Sequence, residues 1–256
     1  MDVDDVATSK KIQYRRVLLK LSGEVLAGPQ KYGIHVDTLH NLASEIAAVH
    51  AEGVELAIVI GGGNIYRGMS AAGEGMDRVT ADYMGMLATI INGLALQNAL
   101  EQRDIITRVQ TALEVRSVAE PFIRRKAMRH LEKNRIVILA GGTGNPYFTT
   151  DTTAALRAIE LSCDIIFKAT KVNGIYDDDP NRNANARKYS YVSFDHALQN
   201  HLKIMDSTAF SLCMDNKMPI LVFNVAEKNV LTRAVYGESV GTLVNSGKGA
   251  QYDGSE

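Results

Sequence analysis

The chain has 256 residues, 46% of them hydrophobic and 22% charged, with a formal net charge of −1 at pH 7. This length can bury a sizeable core, and so small a net charge excludes a general attraction to nucleic acid or to an anionic membrane. The two cysteines, Cys163 and Cys213, form no Cys-x-x-Cys pair, which argues against a disulfide scaffold or a structural zinc site. Residues 1–11 lack the apolar core of a signal peptide, and we expect a cytoplasmic protein.

The first predicted strand carries a lysine near its end. Residues 17–21 form an apolar run that contains Lys20, and Ser22 and Gly23 follow as a predicted turn. Burying an unpaired ammonium group costs free energy, so Lys20 is well placed to meet a phosphate. The alternative is a lysine at a strand end that extends into water, which is common in proteins.

The second predicted strand, residues 56–60, follows a predicted helix over residues 37–52 and ends in three consecutive glycines. Gly62 and Gly63 leave no side chain between the backbone and a ligand, and Arg67 follows with a guanidinium that can bind phosphate. The chain contains neither the Rossmann glycine spacing nor a P-loop. Both common nucleotide motifs are therefore absent.

The most apolar long segment is residues 84–100, which is interrupted by glycines and polar residues and is short for a membrane span. We interpret it as a helix that is buried on most sides, either in the core or at a subunit contact. Asp82 precedes it. This carboxylate could cap the helix or accept hydrogen bonds from a sugar hydroxyl pair, and the sequence leaves both roles open.

A third glycine loop lies between a predicted strand at 136–140 and a predicted helix at 152–160. Its glycines and the start of the helix offer backbone N–H donors, and Thr143, Thr149 and Thr150 add hydroxyl groups. The alternative is a tight turn with Thr150 or Asp151 as an ordinary helix cap. We favour an anion site because this is the third such loop at a strand end.

The next predicted strand, residues 164–170, carries a second lysine, Lys168, near its end. The acidic run 177–179 that follows is either a hydrated turn or part of a nucleotide site. Strands and helices alternate through most of the chain, which predicts an α/β fold with a mainly parallel sheet, helices on both faces and ligands at the carboxyl ends of the strands. None of the six histidines lies in a glycine loop, so triad or metal-hydrolase chemistry has little support.

Five motifs together resemble the bacterial uridylate kinases of the amino-acid kinase superfamily, in the same order and over residues 16–244. They are Lys20-Leu21-Ser22-Gly23-Glu24, Gly61-Gly62-Gly63-Asn64 with Arg67, residues 82–89, residues 142–151, and residues 168–172 with Asp179-Pro180. The resemblance implies a three-layer αβα fold that transfers the γ-phosphate of ATP to UMP, giving ADP and UDP in pyrimidine nucleotide biosynthesis. It also implies Mg²⁺ carried with ATP rather than held in a protein metal site, and a homohexamer.

The resemblance also implies a domain plan. A flexible segment at 1–11 precedes one domain at 12–245, and a flexible tail follows at 246–256. The acceptor would bind the part at 12–162, and ATP would bind the part at 163–245.

By the same resemblance, the catalytic residues are Lys20, Asp151, Lys168 and Asp206. ATP would contact Lys20, Leu21, Ser22, Gly23, Gly63, Arg67, Thr170, Tyr176 and Asp179. UMP would contact Gly62, Asp82, Thr143, Gly144, Asn145, Pro146, Tyr147, Phe148, Thr149 and Thr150. Inhibition by UTP rests on the resemblance alone. Gln97 and Glu101 stand where several relatives carry basic residues, although Arg108 and Arg135 remain, so we expect a weak response to GTP.

Two other functions compete with this interpretation. A kinase of the same superfamily that phosphorylates a carboxylate, such as that of acetylglutamate or aspartate, would share Lys20, Lys168 and the glycine loops. The loop around Tyr147 and Phe148, with Asp82, suits an aromatic base and a ribose better. A noncatalytic nucleotide sensor would not need two lysines and Asp151 together, since binding alone does not require neutralisation of transition-state charge.

Overall fold

The structure is a computed structural model that describes residues 11–66, 75–180, 182–183 and 185–254. Arg67 and the first ten residues lie outside this range, so the predicted phosphate contact of Arg67 and the predicted flexible start stay predictions. The described strands are β1 Arg16–Leu21, β2 Glu55–Ile60, β3 Thr107–Thr111, β4 Glu120–Pro121, β5 Ile136–Ala140, β6 Ile165–Thr170, β7 Tyr189–Ser193, β8 Ile220–Asn224, β9 Gly241–Asn245 and β10 Ala250–Tyr252. The described helices are α1 Gly23–Ala27, α2 Val36–Ala51, α3 Arg78–Glu101, α4 Arg124–Glu132, α5 Thr150–Glu160, α6 Phe194–Gln199, α7 Ser207–Asp215 and α8 Val230–Val235.

The strands form one sheet in the order β10-β7-β9-β8-β6-β1-β2-β5-β3-β4. Strand β1 lies near the middle and pairs in parallel with β2 and β6. Antiparallel pairing is limited, among the described strands, to β8 with β9 and β10 with β7. The predicted mainly parallel sheet is therefore confirmed. Because the central strands run the same way, the segments that follow β1, β2, β5 and β6 all emerge at one edge.

Helices cover both faces of the sheet, as the alternation of side chains along each strand requires. Leu19 faces a hydrophobic cluster that includes residues of α2, α3 and α8. Its neighbour Leu18 faces the opposite cluster, which includes residues of α4, α5, α6 and α7. The predicted three-layer αβα arrangement is confirmed.

Two helix starts differ from the sequence-based expectation. The predicted turn after β1 is the short helix α1, with Ser22 as its N-cap. Helix α3 begins at Arg78, with Asp77 accepting a hydrogen bond from the N–H of Thr80 at 2.8 Å. Asp82 therefore lies inside the helix and does not cap it, which makes its carboxylate available for another role. The actual start, about six residues before the predicted segment, is hard to predict because the residues before position 84 show little apolar periodicity.

The end of the described chain is also more ordered than expected. Residues 246–256 were predicted to be a flexible tail, but Ala250–Tyr252 form β10 beside β7. The rings of Tyr252 and Tyr189 stack with centroids 4.5 Å apart. This aromatic contact holds a segment whose small and polar sequence gives little strand signal by itself.

Helix α3 is long and apolar enough to cross a membrane by length and composition alone. One side of it packs on the sheet, where Leu96, Ala99 and Leu100 have no solvent exposure. Its other side carries exposed apolar residues, including Leu87 at 47% and Ile91 at 51% exposure. This pattern fits a core helix with one additional apolar face.

Candidate active site

Two lysines meet one carboxylate at the carboxyl edge of the sheet. Lys20 lies on β1 and Lys168 lies on β6, and the two residues are register partners across these strands. The Nζ atom of Lys20 lies 2.8 Å from Oδ1 of Asp151, and Nζ of Lys168 lies 2.7 Å from Oδ2. Asp151 lies in the first turn of α5, where a helix N-terminus favours negative charge. All three groups are largely buried, so they form a compact ionic cluster with one excess positive charge.

The charges in this cluster shift one another's pKa values. Burial raises the pKa of Asp151, but Lys20 and Lys168 together outweigh that effect and hold it below the usual carboxyl value. Burial also lowers the pKa of Lys168, and Asp151 only partly opposes this because Lys20 acts in the same direction as burial. The two lysines thus favour the carboxylate form of Asp151, and a bound anion could balance the excess positive charge of the cluster.

Asp206, which the resemblance implies is a catalytic residue, lies beside this cluster. It is the N-cap of α7, and its carboxylate accepts hydrogen bonds from the hydroxyls of Thr149 and Thr152 at the start of α5. Lys168 instead donates to the carbonyl of Ile204, with Nζ 2.5 Å from the oxygen. Asp206 therefore fixes the helix that carries Asp151, rather than bonding either lysine.

The first two glycine loops lie against each other. A Cβ atom at Gly23 would come within 2.6 Å of the carbonyl oxygen of Gly61 and 2.8 Å of the nitrogen of Gly63. Two buried amides, Asn64 and Asn92, bond reciprocally, and Asn92 also donates to the carbonyl of Gly61 at 2.7 Å. These contacts hold the loop after β2 rigidly against α1 and α3. Backbone N–H groups next to Lys20 are thereby kept in place for an anion.

The third glycine loop is joined to α3. Gly141, Gly142 and Gly144 all have positive φ, a conformation that residues with a Cβ atom rarely adopt because of steric strain. The N–H of Gly141 donates to Oγ1 of Thr89 at 2.8 Å. Thr89 thus links α3 to the loop, and the sequence-based interpretation did not identify it. A single threonine in an apolar helix gives no sequence signal for such a contact.

Asp82 reaches across to the same loop. Both of its oxygens lie 2.9 Å from Nε of Arg78, and Oδ2 accepts the N–H of Tyr147 at 2.8 Å. Tyr147 has a φ of 71°, an unusual conformation for a bulky residue, and the bond to Asp82 helps to hold it there. Arg78 lies over the Tyr147 ring, with its guanidinium carbon 5.5 Å from the centroid. Arg78 is a further candidate site residue that the sequence-based interpretation missed.

These elements surround a cavity of about 230 Å³. It brings together the following predicted acceptor residues: Gly62, Asp82, Thr143, Phe148, Thr149 and Thr150, with Gly63 from the predicted ATP set. It is also lined by Tyr66, Arg78, Met86, Thr89 and Thr153, which were not predicted. Gly144, Asn145, Pro146 and Tyr147 lie on the same loop but do not line the cavity.

Among the described residues predicted to bind ATP, those at 20–23 lie at or after the end of β1, Gly63 follows β2, and Thr170, Tyr176 and Asp179 lie at or after the end of β6. Leu21 has no solvent exposure, so only its backbone could serve a ligand. Oγ1 of Thr170 lies 2.7 Å from the carbonyl oxygen of Val172, to which it donates. The hydroxyl of Tyr176 donates to the side chain of Asn173 at 2.6 Å, and Asp179 is exposed on the following loop. These contacts shape the segment after β6 beside the lysine cluster.

A larger cavity of about 780 Å³ lies on the other side of α1, between α2 and the segment after β8. Of the predicted site residues that the structure describes, Thr170 alone lines it. Its charged lining residues have both signs, Glu24, Glu45 and Glu227 with Lys171 and Lys228. Because Gly62, Gly63 and Gly142 of the second and third glycine loops line the smaller cavity and not this one, we place the phosphate acceptor in the smaller one.

Across the described part of the chain, no group of three or more His, Cys, Asp and Glu side chains is arranged to hold a metal ion. The two carboxylates nearest the chemistry are already occupied, Asp151 by lysines and Asp206 by threonines. This donor set fits a cation that is bound mainly by a phosphate ligand and water, as Mg²⁺ commonly is.

Comparisons with known proteins agree with this geometry. The family model described as amino acid kinase family matches residues 15–224. The solved UMP kinase from Bacillus anthracis is 40% identical, with a TM-score of 0.91 over 94% of this chain and 99% of that one. The UMP kinase from Ureaplasma parvum is 38% identical, with a TM-score of 0.87 over 92% and 100%. The uridylate kinase from Archaeoglobus fulgidus is 28% identical, with a TM-score of 0.69 over 89% and 99%.

Proposed function

Because the chain belongs to the amino acid kinase family, we propose that it transfers the γ-phosphate of ATP to UMP, forming ADP and UDP for pyrimidine nucleotide synthesis. The observation that carries this proposal is the pair Lys20 and Lys168 on one carboxylate, that of Asp151. Asp151 directly follows Thr149 and Thr150, which line the same cavity as Asp82. The solved structures described as UMP kinases cover nearly the same length of chain.

The lysine cluster supplies what phosphoryl transfer needs most. Charge builds up on the transferred group, and the two ammonium groups can neutralise it without reorganising because Asp151 already fixes them. The backbones of Gly23 and Gly63 lie close together after β1 and β2, and with Lys20 they would face the phosphates of ATP. Thr170, Tyr176 and Asp179 would border the rest of ATP, and Mg²⁺ would arrive with it.

The acceptor requires no general base from the protein. The second pKa of a phosphate monoester is about 6, so the phosphate of UMP is already a nucleophile at neutral pH. This agrees with the absence of histidine among the described residues that line the cavity. The residues of the cavity therefore need only to bind and orient UMP, with Asp82 accepting from the ribose hydroxyls and Phe148 contacting the base.

Self-association would bury the exposed face of α3. Met84, Leu87 and Ile91 repeat at helical spacing and are 37%, 47% and 51% exposed. Tyr83 extends the same face. A homohexamer built partly on this face is the assembly we propose, with inhibition by UTP and a weak response to GTP.

The test is ADP release by the purified protein with Mg²⁺ and ATP. UMP, CMP, acetylglutamate and aspartate are offered in parallel, and Lys20→Ala is compared with Lys133→Ala, which changes an exposed lysine before β5. Turnover with UMP that is lost only in Lys20→Ala is the expected result. Turnover with an acyl acceptor alone would overturn the assignment of the acceptor loop. ATP binding without turnover would favour a nucleotide sensor.

A further inference from the structure

The strand β10 is attached to the segment that connects β6 to β7. Gln251 pairs with Tyr191, and Tyr252 pairs with Tyr189 after a shift in register. The N–H of Asp253 donates to the carbonyl of Lys188 at 2.8 Å, and its carboxylate lies 2.7 Å from Nζ of the same lysine. The end of the described chain therefore binds both the backbone and the side chain of residues just before and within β7.

Tyr252 is the centre of this attachment. Its ring stacks on Tyr189 with an interplanar angle of 19°, and the two hydroxyl oxygens lie 3.2 Å apart. On the other side, the guanidinium carbon of Arg187 lies 3.9 Å from the Tyr252 centroid. The Tyr252 ring is thus packed between an aromatic ring and a guanidinium, and both contacts stabilise its position.

Arg187 and Lys188 carry this contact to the segment after β6. The N–H and Nε of Arg187 donate to the carboxylate of Asp177 at 2.7 and 3.1 Å. Lys188 forms an isolated antiparallel bridge with Tyr176, and the N–H of Tyr189 donates to the carbonyl of Ile175. These bonds make the two ends of the connection a short two-stranded ribbon that β10 covers on one side.

The ribbon bears two of the residues proposed to bind ATP. Tyr176 lies within it, and Asp179 follows directly at its exposed end. A two-stranded ribbon is only marginally stable without further packing. A ligand that needs an ordered ribbon must supply the ordering free energy from its own binding unless another part of the protein has already ordered it.

We propose that Tyr252 is a positioning residue for ATP, acting through Arg187 and the ribbon without touching the nucleotide. This inference rests on the proposed function in placing ATP beside Tyr176 and Asp179. β10 then orders the ribbon before ATP arrives, and loss of the Tyr252 ring weakens ATP binding while leaving the lysine cluster and the acceptor cavity intact. Because such coupling is reciprocal, bound ATP also stabilises β10.

The test measures KM for ATP, KM for UMP and kcat in Tyr252→Ala, Tyr252→Phe and Leu198→Ala. Leu198 is the control, because it is exposed on α6, next to β7, and contacts none of these residues in the bonds described above. We expect KM for ATP to rise about three- to tenfold in Tyr252→Ala, the size that an aromatic stack supports. KM for UMP and kcat should stay near the wild-type values, and Tyr252→Phe, which keeps the ring, should bind ATP nearly as well as the wild type.

A second measurement uses the unmodified protein. Hydrogen exchange at the backbone amides of Tyr252 and Asp253 is followed with and without ATP, and slower exchange with ATP is expected. Unchanged exchange, an unchanged KM for ATP, or equal increases in both KM values would overturn the proposal. If the wild type turns over no acceptor, the proposed function fails, but calorimetric ATP binding by the same variants still decides the role of Tyr252.

Discussion

Lys20 and Lys168 lie directly opposite each other on the neighbouring strands β1 and β6. Side chains at paired positions of adjacent parallel strands point to the same face, so both ammonium groups project together. Their mutual repulsion is overcome because Asp151 receives one lysine on each carboxylate oxygen. The preformed positive cluster thus depends on a single carboxylate, which makes Asp151 the most informative residue to change.

Asp151→Asn should destabilise the fold at neutral pH. The substitution leaves two largely buried ammonium groups without their shared counter-ion, and removing one member of a buried ionic group typically costs about 3 kcal/mol or more. We expect the free energy of unfolding at pH 7 to fall by roughly 2–4 kcal/mol, because side-chain exposures of 12–16% leave some screening. Urea unfolding of the two proteins measures this difference.

The pH dependence of the stability difference between the wild type and Asp151→Asn tests the same ionic role. The folded-state pKa of Asp151 lies below its unfolded value of about 4, so its contribution is complete above that value and is lost as pH falls through the folded pKa. The stability difference between wild type and Asp151→Asn should therefore be constant from pH 7 to pH 5 and shrink in strong acid. A difference that grows on acidification would contradict the ionic role of Asp151.

Lys168 should set the alkaline limit of activity. Burial lowers its pKa below the usual lysine value of about 10.4, so its charge is lost at lower pH than that of an exposed lysine. In Lys168→Arg the charge persists, because a guanidinium stays protonated. We expect the alkaline fall of kcat to move to higher pH in this variant. The maximal kcat should drop about tenfold or more, because the planar guanidinium is larger than an ammonium group and fits the site poorly. An identical alkaline limb in both proteins would exclude Lys168 as its source.

Replacing Asp82 should weaken the binding of UMP and leave the binding of ATP nearly unchanged. Its carboxylate holds Arg78 and the backbone of Tyr147, and it lines the proposed UMP cavity. We expect Asp82→Ala to raise KM for UMP roughly 10- to 100-fold, since a charge-assisted bond and the loop position are both lost. KM for ATP should change little. Asp77→Ala is the control, because it removes the cap of the same helix but lies outside the cavity lining.

The sequence predicted most of the central sheet because buried parallel strands are continuous apolar runs. Residues 136–140, for example, coincide with β5, and residues 17–21 lie within β1. The same signal fails at the periphery. β7 and β10 have mixed polar and aromatic sequences. Their pairing is accompanied by stacking of Tyr189 on Tyr252, two residues that lie far apart in the chain.

The site could be predicted in part for a similar reason. Lysines in apolar strands and glycine loops at strand ends are local signals, and they identified Lys20, Lys168 and the loop at 141–144. Arg78 and Thr89 act by reaching from α3 to a loop more than fifty positions away. No local pattern specifies such contacts. Asp206 illustrates a further limit, since the resemblance implied a catalytic role but did not indicate that its carboxylate bonds Thr149 and Thr152.

Gly62 and Gly63 are neighbours that should respond differently to alanine. A Cβ at Gly62 would lie 2.7 Å from the carbonyl oxygen of Gly85 and 2.8 Å from Cβ of Ala88, both on α3. A Cβ at Gly63 would meet nothing within 4 Å. We expect Gly62→Ala to lower the free energy of unfolding by about 1–3 kcal/mol, through displacement of α3. Gly63→Ala should unfold in urea like the wild type, and equal losses in both variants would contradict this packing.

The response to GTP should be weak because the acidic residue Glu101 lies beside Arg108, one of the basic residues expected to bind GTP. Glu101 lies 3.6 Å from a guanidinium nitrogen of Arg108, and it also accepts from the amide of Gln97 at 3.2 Å. This carboxylate repels the negative charge of a triphosphate and is already paired with Arg108. We expect GTP to change the initial rate by less than about twofold, whereas Glu101→Gln, which removes the negative charge, should increase the response. A large rise in rate with GTP in the unmodified protein would show that Arg108 and Arg135 suffice despite Glu101.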